Sequence, residues 1–193
     1  MADKKISQLS NASTPLAGTE VVPVVQSGST VKVSISDLTA GRTVPVSGVS
    51  FAASANLPGM TSETLDDYEE GTYTPAWTAS SVNPVLGNGT LLAKYVIVGG
   101  LCNIQISLTM GSTTTFGTGE WSFSLPIASA AASTGQVWAL DSGTAYFIGI
   151  CLVNAGVSTL TIFSNSAGSG WSPSQPFTWA ANDQIELSLT YQV

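Results

Sequence analysis

The sequence predicts an all-β protein: an antiparallel β-sandwich, jelly-roll-like, carrying a small amino-terminal module. Three observations carry that expectation. Apolar and polar residues alternate over several separate stretches, most cleanly from Leu101 to Thr109, where Cys102, Ile104, Ile106 and Leu108 share one side and Asn103, Gln105, Ser107 and Thr109 the other. A period of two places successive side chains on opposite faces of a strand. Turn signals separate the stretches, at Gly87-Asn88-Gly89, at Asn154-Ala155-Gly156 and over 165–170. No amphipathic helix period and no heptad pattern of useful length competes with them. Seven or eight strands at this spacing from Leu65 onward fit two packed antiparallel layers.

Residues 1–40 read as a compact module. Val21-Val22-Pro23-Val24-Val25 is a β-branched run, Ser27-Gly28-Ser29 a turn, and Val31-Lys32-Val33-Ser34-Ile35 alternates again, which together spell a hairpin. Pro23 has no amide hydrogen, so its strand is expected to be short or at an edge. Ser36-Asp37-Leu38 offers a cap for a brief helical turn. A piece this small cannot bury a full core by itself, so it is expected to gain stability by docking on a neighbour. Residues 41–64 change texture: Pro45, Gly48, Pro58 and Gly59 punctuate a run of Ser, Ala and Val, expected to be an extended linker that wraps around partner chains.

Residues 65–193 are expected to form the outer β-domain. Besides Leu101 to Thr109, alternation marks Trp121, Phe123 and Leu125 before Pro126, and Ile185, Leu187, Leu189, Tyr191 and Val193 at the carboxyl end. Leu91 to Val98, Gly135 to Leu140 and Thr159 to Phe163 are shorter candidates. The stretch from Ala145 to Val153 is apolar on both faces and is expected in the middle of the sandwich or at a subunit contact. Ala128 to Thr134, low in complexity, is expected to be a loop or a close contact between small residues.

Composition narrows the function. Hydrophobic residues make up 44% of the 193 residues and charged ones only 9%, far below the ~25% usual for soluble proteins. No apolar run approaches the roughly 20 residues of a membrane helix, and the start carries no hydrophobic signal core. So much uncharged surface predicts an obligate oligomer that hides apolar patches between subunits. Beyond Arg42, Lys94 is the single basic residue against nine acidic ones. Such a body cannot neutralise a run of phosphates, which argues strongly against nucleic acid as a partner, and anionic lipid would repel it. Cys102 and Cys151 are the only cysteines and histidine is absent. Two thiols read as small buried hydrophobes, kept reduced by assembly in a cytoplasm, and are too few for a structural zinc site.

Candidate chemistry is equally thin. Asp66, Asp67, Glu69 and Glu70 form the one dense acidic group. They lack the spacing of a calcium loop, and a glycosidase pair would need two carboxylates facing each other across a sugar. A solvated turn at the domain entry is the expectation. Without histidine, serine and threonine have no usual base, and Lys94 is the only amine of the β-domain. No phosphate-cradling loop occurs. Neither an enzyme nor a cofactor is expected. Trp77, Trp121, Trp138, Trp171 and Trp179 are expected to be mostly core or interface anchors. Trp171, inside Gly168-Ser169-Gly170-Trp171-Ser172-Pro173, is the aromatic best placed for an exposed glycan or partner contact.

Two signatures resemble tailed-bacteriophage virion appendages. Ile6-Ser7-Gln8-Leu9, Gly18-Thr19-Glu20, Pro23 to Gln26 and Ser34 to Leu38 are similar to the amino-terminal segments of phage fibres, spikes and capsid-attached fibres. Leu65-Asp66-Asp67-Tyr68-Glu69-Glu70-Gly71-Thr72-Tyr73-Thr74-Pro75 resembles the entry to their distal β-domain. There it is followed by a Tyr-x-x-x-Gly element, matched by Tyr95 to Gly99. Leu125-Pro126-Ile127 and Asn182-Asp183-Gln184-Ile185 are similar to later steps of that domain. The resemblance implies a homotrimer at the virion surface, assembled in the host cytoplasm and anchored through its first module. The anchoring residues would be Ile6, Leu9, Val21, Val22, Pro23, Val24, Val25, Val31, Val33 and Leu38. Because only residues 41–64 separate anchor and β-domain, the resemblance favours a capsid decoration or cement protein, or a short head fibre, gripping the major capsid protein. The alternative is a tail-fibre tip held by a tail or neck protein and adhering to a host-surface glycan. A glycan-degrading spike is a third, remoter expectation.

Overall fold

The computed structural model describes residues 21–34, 49–50, 64–65, 67–164 and 169–193. Two compact units divide the chain, 1–47 and 48–193, with the boundary inside the segment expected to be linker. In the first, β1 (Val21–Gln26) and β2 (Ser29–Ser34) form an antiparallel hairpin in which Gln26 faces Ser29. Its two-residue turn, Ser27 at φ 52° and Gly28 at φ 78°, is left-handed at both positions. That is the geometry whose twist matches the flanking strands. Pro23 pairs with Lys32 in a two-stranded ladder, where both strands are edges and a missing amide hydrogen is tolerated.

Every regular element among the described residues of the second unit is a strand. β3 (Val49–Ser50) pairs with β4 (Thr64–Leu65). The remaining strands are β5 (Tyr68–Tyr73), β6 (Trp77–Ala79), β7 (Thr90–Val98), β8 (Leu101–Thr109), β9 (Trp121–Ser124), β10 (Ser133–Asp141), β11 (Ala145–Val153), β12 (Thr159–Ser164) and β13 (Gln184–Gln192). They form one continuous antiparallel sheet in the order β5-β7-β8-β13-β10-β11-β12-β9-β6. The acidic group expected at a turn is instead partly strand: Glu69 and Glu70 lie in β5, on opposite faces of the sheet. The ladder to β7, from Tyr68↔Val98 to Tyr73↔Ala93, overrides the local preference of charged residues for a turn.

The sheet curls back on itself. β5 and β6 are its two edges, yet only residues 74–76 join them. Laid flat, nine strands about 4.8 Å apart would hold their edges roughly 38 Å from each other, whereas that link spans at most about 14 Å. Hydrogen bonds close the gap: the Tyr73 hydroxyl donates to the Ser124 carbonyl at 3.3 Å, and the Ala76 amide donates to Ser124 Oγ at 2.8 Å.

Curling gives the sheet an inner face, and the alternating residues fill it. Cys102, Ile104, Ile106 and Leu108 of β8 face inward with Ile185, Leu187, Leu189 and Tyr191 of β13, all buried. Val137 and Ala139 of β10, Cys151 and Val153 of β11, and Leu160 and Ile162 of β12 complete the layer. Burying a side chain of this size stabilises the fold by about 1.5–3 kcal/mol each, before ordering costs. An aromatic cluster plugs one end: Trp179 lies 5.2 Å from Trp121, 5.7 Å from Trp171 and 4.2 Å from Phe177 between ring centres.

Candidate functional site

The outer face of the sheet is two-toned. Reading across β7, β8, β13, β10 and β11, the cross-strand row is Leu92, Ser107, Glu186, Trp138, Ile148. The next row is Lys94, Gln105, Ser188, Gln136, Ile150, and it continues to Phe163 on β12. The β8 and β13 side is polar and hydrogen-bonded to itself. Ser107 Oγ donates to Glu186 Oε2 at 2.6 Å, and Asn103 Nδ2 donates to Thr190 Oγ1 at 2.8 Å.

The β11 side breaks the rule of apolar-in, polar-out. Its outward positions are Tyr146, Ile148, Ile150 and Leu152, with Tyr146 71%, Ile148 74% and Ile150 50% exposed. Trp138 stacks on Tyr146 with ring centres 5.5 Å apart and planes inclined by 26°. A groove of about 420 Å³ runs along the seam between the two tones, lined by Gln105, Gln136, Trp138, Ile148, Glu186 and Ser188. The side-chain amides of Gln105 and Gln136 have no hydrogen-bond partner among the described residues. An uncharged apolar stripe of this kind can bury itself against another surface.

Trp171 is a correction. The Gly/Ser context predicted an exposed contact, but Trp171 is fully buried. Its amide donates to the Ile162 carbonyl and its carbonyl accepts from the Trp121 amide, each at 2.8 Å, so the loop is held against β12 and β9. Pinned there, the indole enters the aromatic plug. Trp138 is the one tryptophan of the five that is not buried. Sequence spacing could not single it out, because its neighbour Tyr146 is set by the β10–β11 register.

Of the expected anchoring residues, Ile6, Leu9 and Leu38 lie outside the described residues. Val21, Val22, Pro23, Val24 and Val25 fall on β1, and Val31 and Val33 on β2. Pro23 is exposed, while Val24, Val31 and Val33 are half-buried. In the acidic group, Glu69 Oε1 accepts from the Tyr95 hydroxyl at 2.5 Å and Glu70 Oε2 from the Tyr68 hydroxyl at 2.6 Å. These hydrogen bonds are the main cause that pushes both phenols above their ordinary pKa. Among the described residues no three of His, Cys, Asp and Glu come close enough to hold a metal, and no helix is long and apolar enough to cross a membrane.

Fold and site together define a curled antiparallel β-domain whose outer face carries an uncharged, exposed apolar stripe. The chain is similar to the Mu-like prophage FluMu defective tail fiber protein of Haemophilus influenzae, 27% identical over 150 residues, which is 76% of this chain and 23% of that protein. It therefore spans about a quarter of the length of the relative it matches. No protein-family model matches the chain, and no solved structure does.

Proposed function

We propose that this chain is a structural component of a tailed-bacteriophage virion: a homotrimeric appendage held by its amino-terminal module, with the curled β-domain facing outward. The similarity to a phage tail fiber protein over 150 residues carries this reading. It is reinforced by the acidic body, which suits neither nucleic acid nor anionic membrane. The work is mechanical and adhesive rather than catalytic, and needs no cofactor. The two flanks of the curled sheet act as the layers of a jelly-roll-like sandwich, and the β1–β2 hairpin with its valines is the part that grips the particle.

Two placements on the virion follow from different observations. The short span of residues 41–64 between the anchoring module and the β-domain favours a capsid decoration protein, cement protein or short head fibre, gripping the major capsid protein. The relative's name favours a tail-fibre tip, held by a tail or neck protein and touching a host-surface glycan. Antibody labelling of intact particles tests both. Label over the whole head supports the first, label confined to the tail supports the second, and particles without label refute the virion reading altogether.

A further inference from the structure

We infer that the outward face of β11, with Trp138 of β10 beside it, is the surface through which copies of this chain pack into the trimer. This rests on the proposed homotrimer and names the surface that builds it. The first argument is exposure: Ile148 at 74% and Tyr146 at 71% are bulky apolar residues left in water by a single copy, and contiguous patches of this kind mark interaction surfaces.

The second argument is charge. The outward positions of β10 and β11, which alternate from Thr134 to Leu140 and from Tyr146 to Leu152, include no Asp, Glu, Lys or Arg. Elsewhere the β-domain is acidic with Lys94 as its one cation, so identical copies repel each other over the rest of their surface. The one carboxylate lining the seam groove, Glu186, already accepts from Ser107, and none stands on the stripe itself, so a basic partner finds little to pair with. A second copy of this chain meets it without charge opposition, and depletion of charge is what distinguishes the centre of a stable interface.

The third argument is the manner of contact. β11 is paired on both sides, to β10 and to β12, so its backbone is already used and a partner cannot add as a further strand. Contact must be face to face through side chains. The seam groove then takes the neighbour's side chains, and the free amides of Gln105 and Gln136 become hydrogen-bonding groups at the polar rim.

Sedimentation and tryptophan quenching of the full chain test the inference together. The wild type is expected at three times the 19.8 kDa chain mass, with emission that resists acrylamide because Trp138 is covered. Ile148→Asp is expected to fall to single-chain mass, or, if the amino-terminal module still tethers three copies, to gain a quenchable component that Trp138→Phe in the same background removes. Far-UV circular dichroism should stay β-type, since residue 148 points away from the core. Val85→Asp, at a residue 59% exposed off the stripe, should leave mass and quenching unchanged. A wild-type trimer with a quenchable Trp138 would overturn the inference while leaving the virion reading intact. Protection of that Trp138 by a neutral oligosaccharide such as maltoheptaose would reassign the face to a glycan. A wild type of single-chain mass would overturn both this surface and the trimer.

Discussion

Tyr95 on β7 lays its ring over Gly71 on β5. A methyl group at position 71 would sit 2.9 Å from both Cε1 and the hydroxyl oxygen of Tyr95, and the same hydroxyl reaches Glu69. Glycine is favoured there by the aromatic roof and not by its backbone angle. Two of the sequence signatures that resemble the phage β-domain, Leu65 to Pro75 and Tyr95 to Gly99, thus meet in one ladder at the Gly71↔Tyr95 pair.

Gly71→Val is expected to cost about 1 kcal/mol, the low end for overpacking. Tyr95 is only half-buried and can swing its ring outward. Tyr95→Ala combined with Gly71→Val should recover part of the loss in a urea titration. Additive costs would show that the ring is not what excludes a side chain at 71.

Gly149→Ala is expected to be worse. A methyl group there would lie 2.8 Å from Trp171 Cζ2 and 2.6 Å from the Phe163 carbonyl oxygen, and neither the backbone nor a fully buried indole can yield. The loss should approach ~3 kcal/mol, the upper range for overpacked cores. Gly100→Ala, whose added methyl would meet nothing closer than 3.9 Å, serves as the neutral control by thermal melting.

Asp183 is a buried carboxylate that accepts from the Ala180 amide at 2.6 Å and the Ser142 amide at 2.9 Å. It ties the entry of β13 to the β10–β11 turn. Asp183→Ala strands two donors and should destabilise by about 3 kcal/mol, while Asp183→Asn keeps one acceptor oxygen and should lose roughly half of that. Equal losses in denaturant titrations would mean that hydrogen bonding is not the cause.

Alkaline pH should weaken the domain through Cys151. Burial pushes its thiol up to about 11 from the ordinary value of 9.0. The folded state therefore favours the protonated thiol, so this contribution is intact below pH 9 and drains away as pH rises to about 11. Burial also raises Tyr191 and Tyr73, adding losses of the same sign at higher pH. Melting curves from pH 8 to 11 should fall less steeply for Cys151→Ala than for wild type, even if the variant starts lower because of its cavity. Parallel slopes would rule the thiol out.

Much of the β-domain was legible in the sequence because its signal is local. Leu101 to Thr109 and Ala145 to Val153 are the observed bounds of β8 and β11, since a period of two needs only neighbouring residues to show itself. The doubly apolar stretch from Ala145 to Val153, expected in the middle of the sandwich or at a subunit contact, is an interior strand of the sheet, paired to β10 and β12. By contrast, β5 and β6 were not separately recognised. Charged and short segments become strands only when a partner edge is present to pair with them.

By itself the sequence determined the all-β class, the inward residues of β8 and β13, and the hairpin turn at Ser27-Gly28. The tertiary structure alone decided that one sheet curls until β5 and β6 meet, that Trp171 is sealed inside, and that Trp138 stands beside Tyr146 on the outside. The physical reason is distance along the chain. Which face a residue takes is set by its immediate neighbours, but what lies across from that face is set by strand pairing between segments far apart in the sequence, which no local pattern encodes.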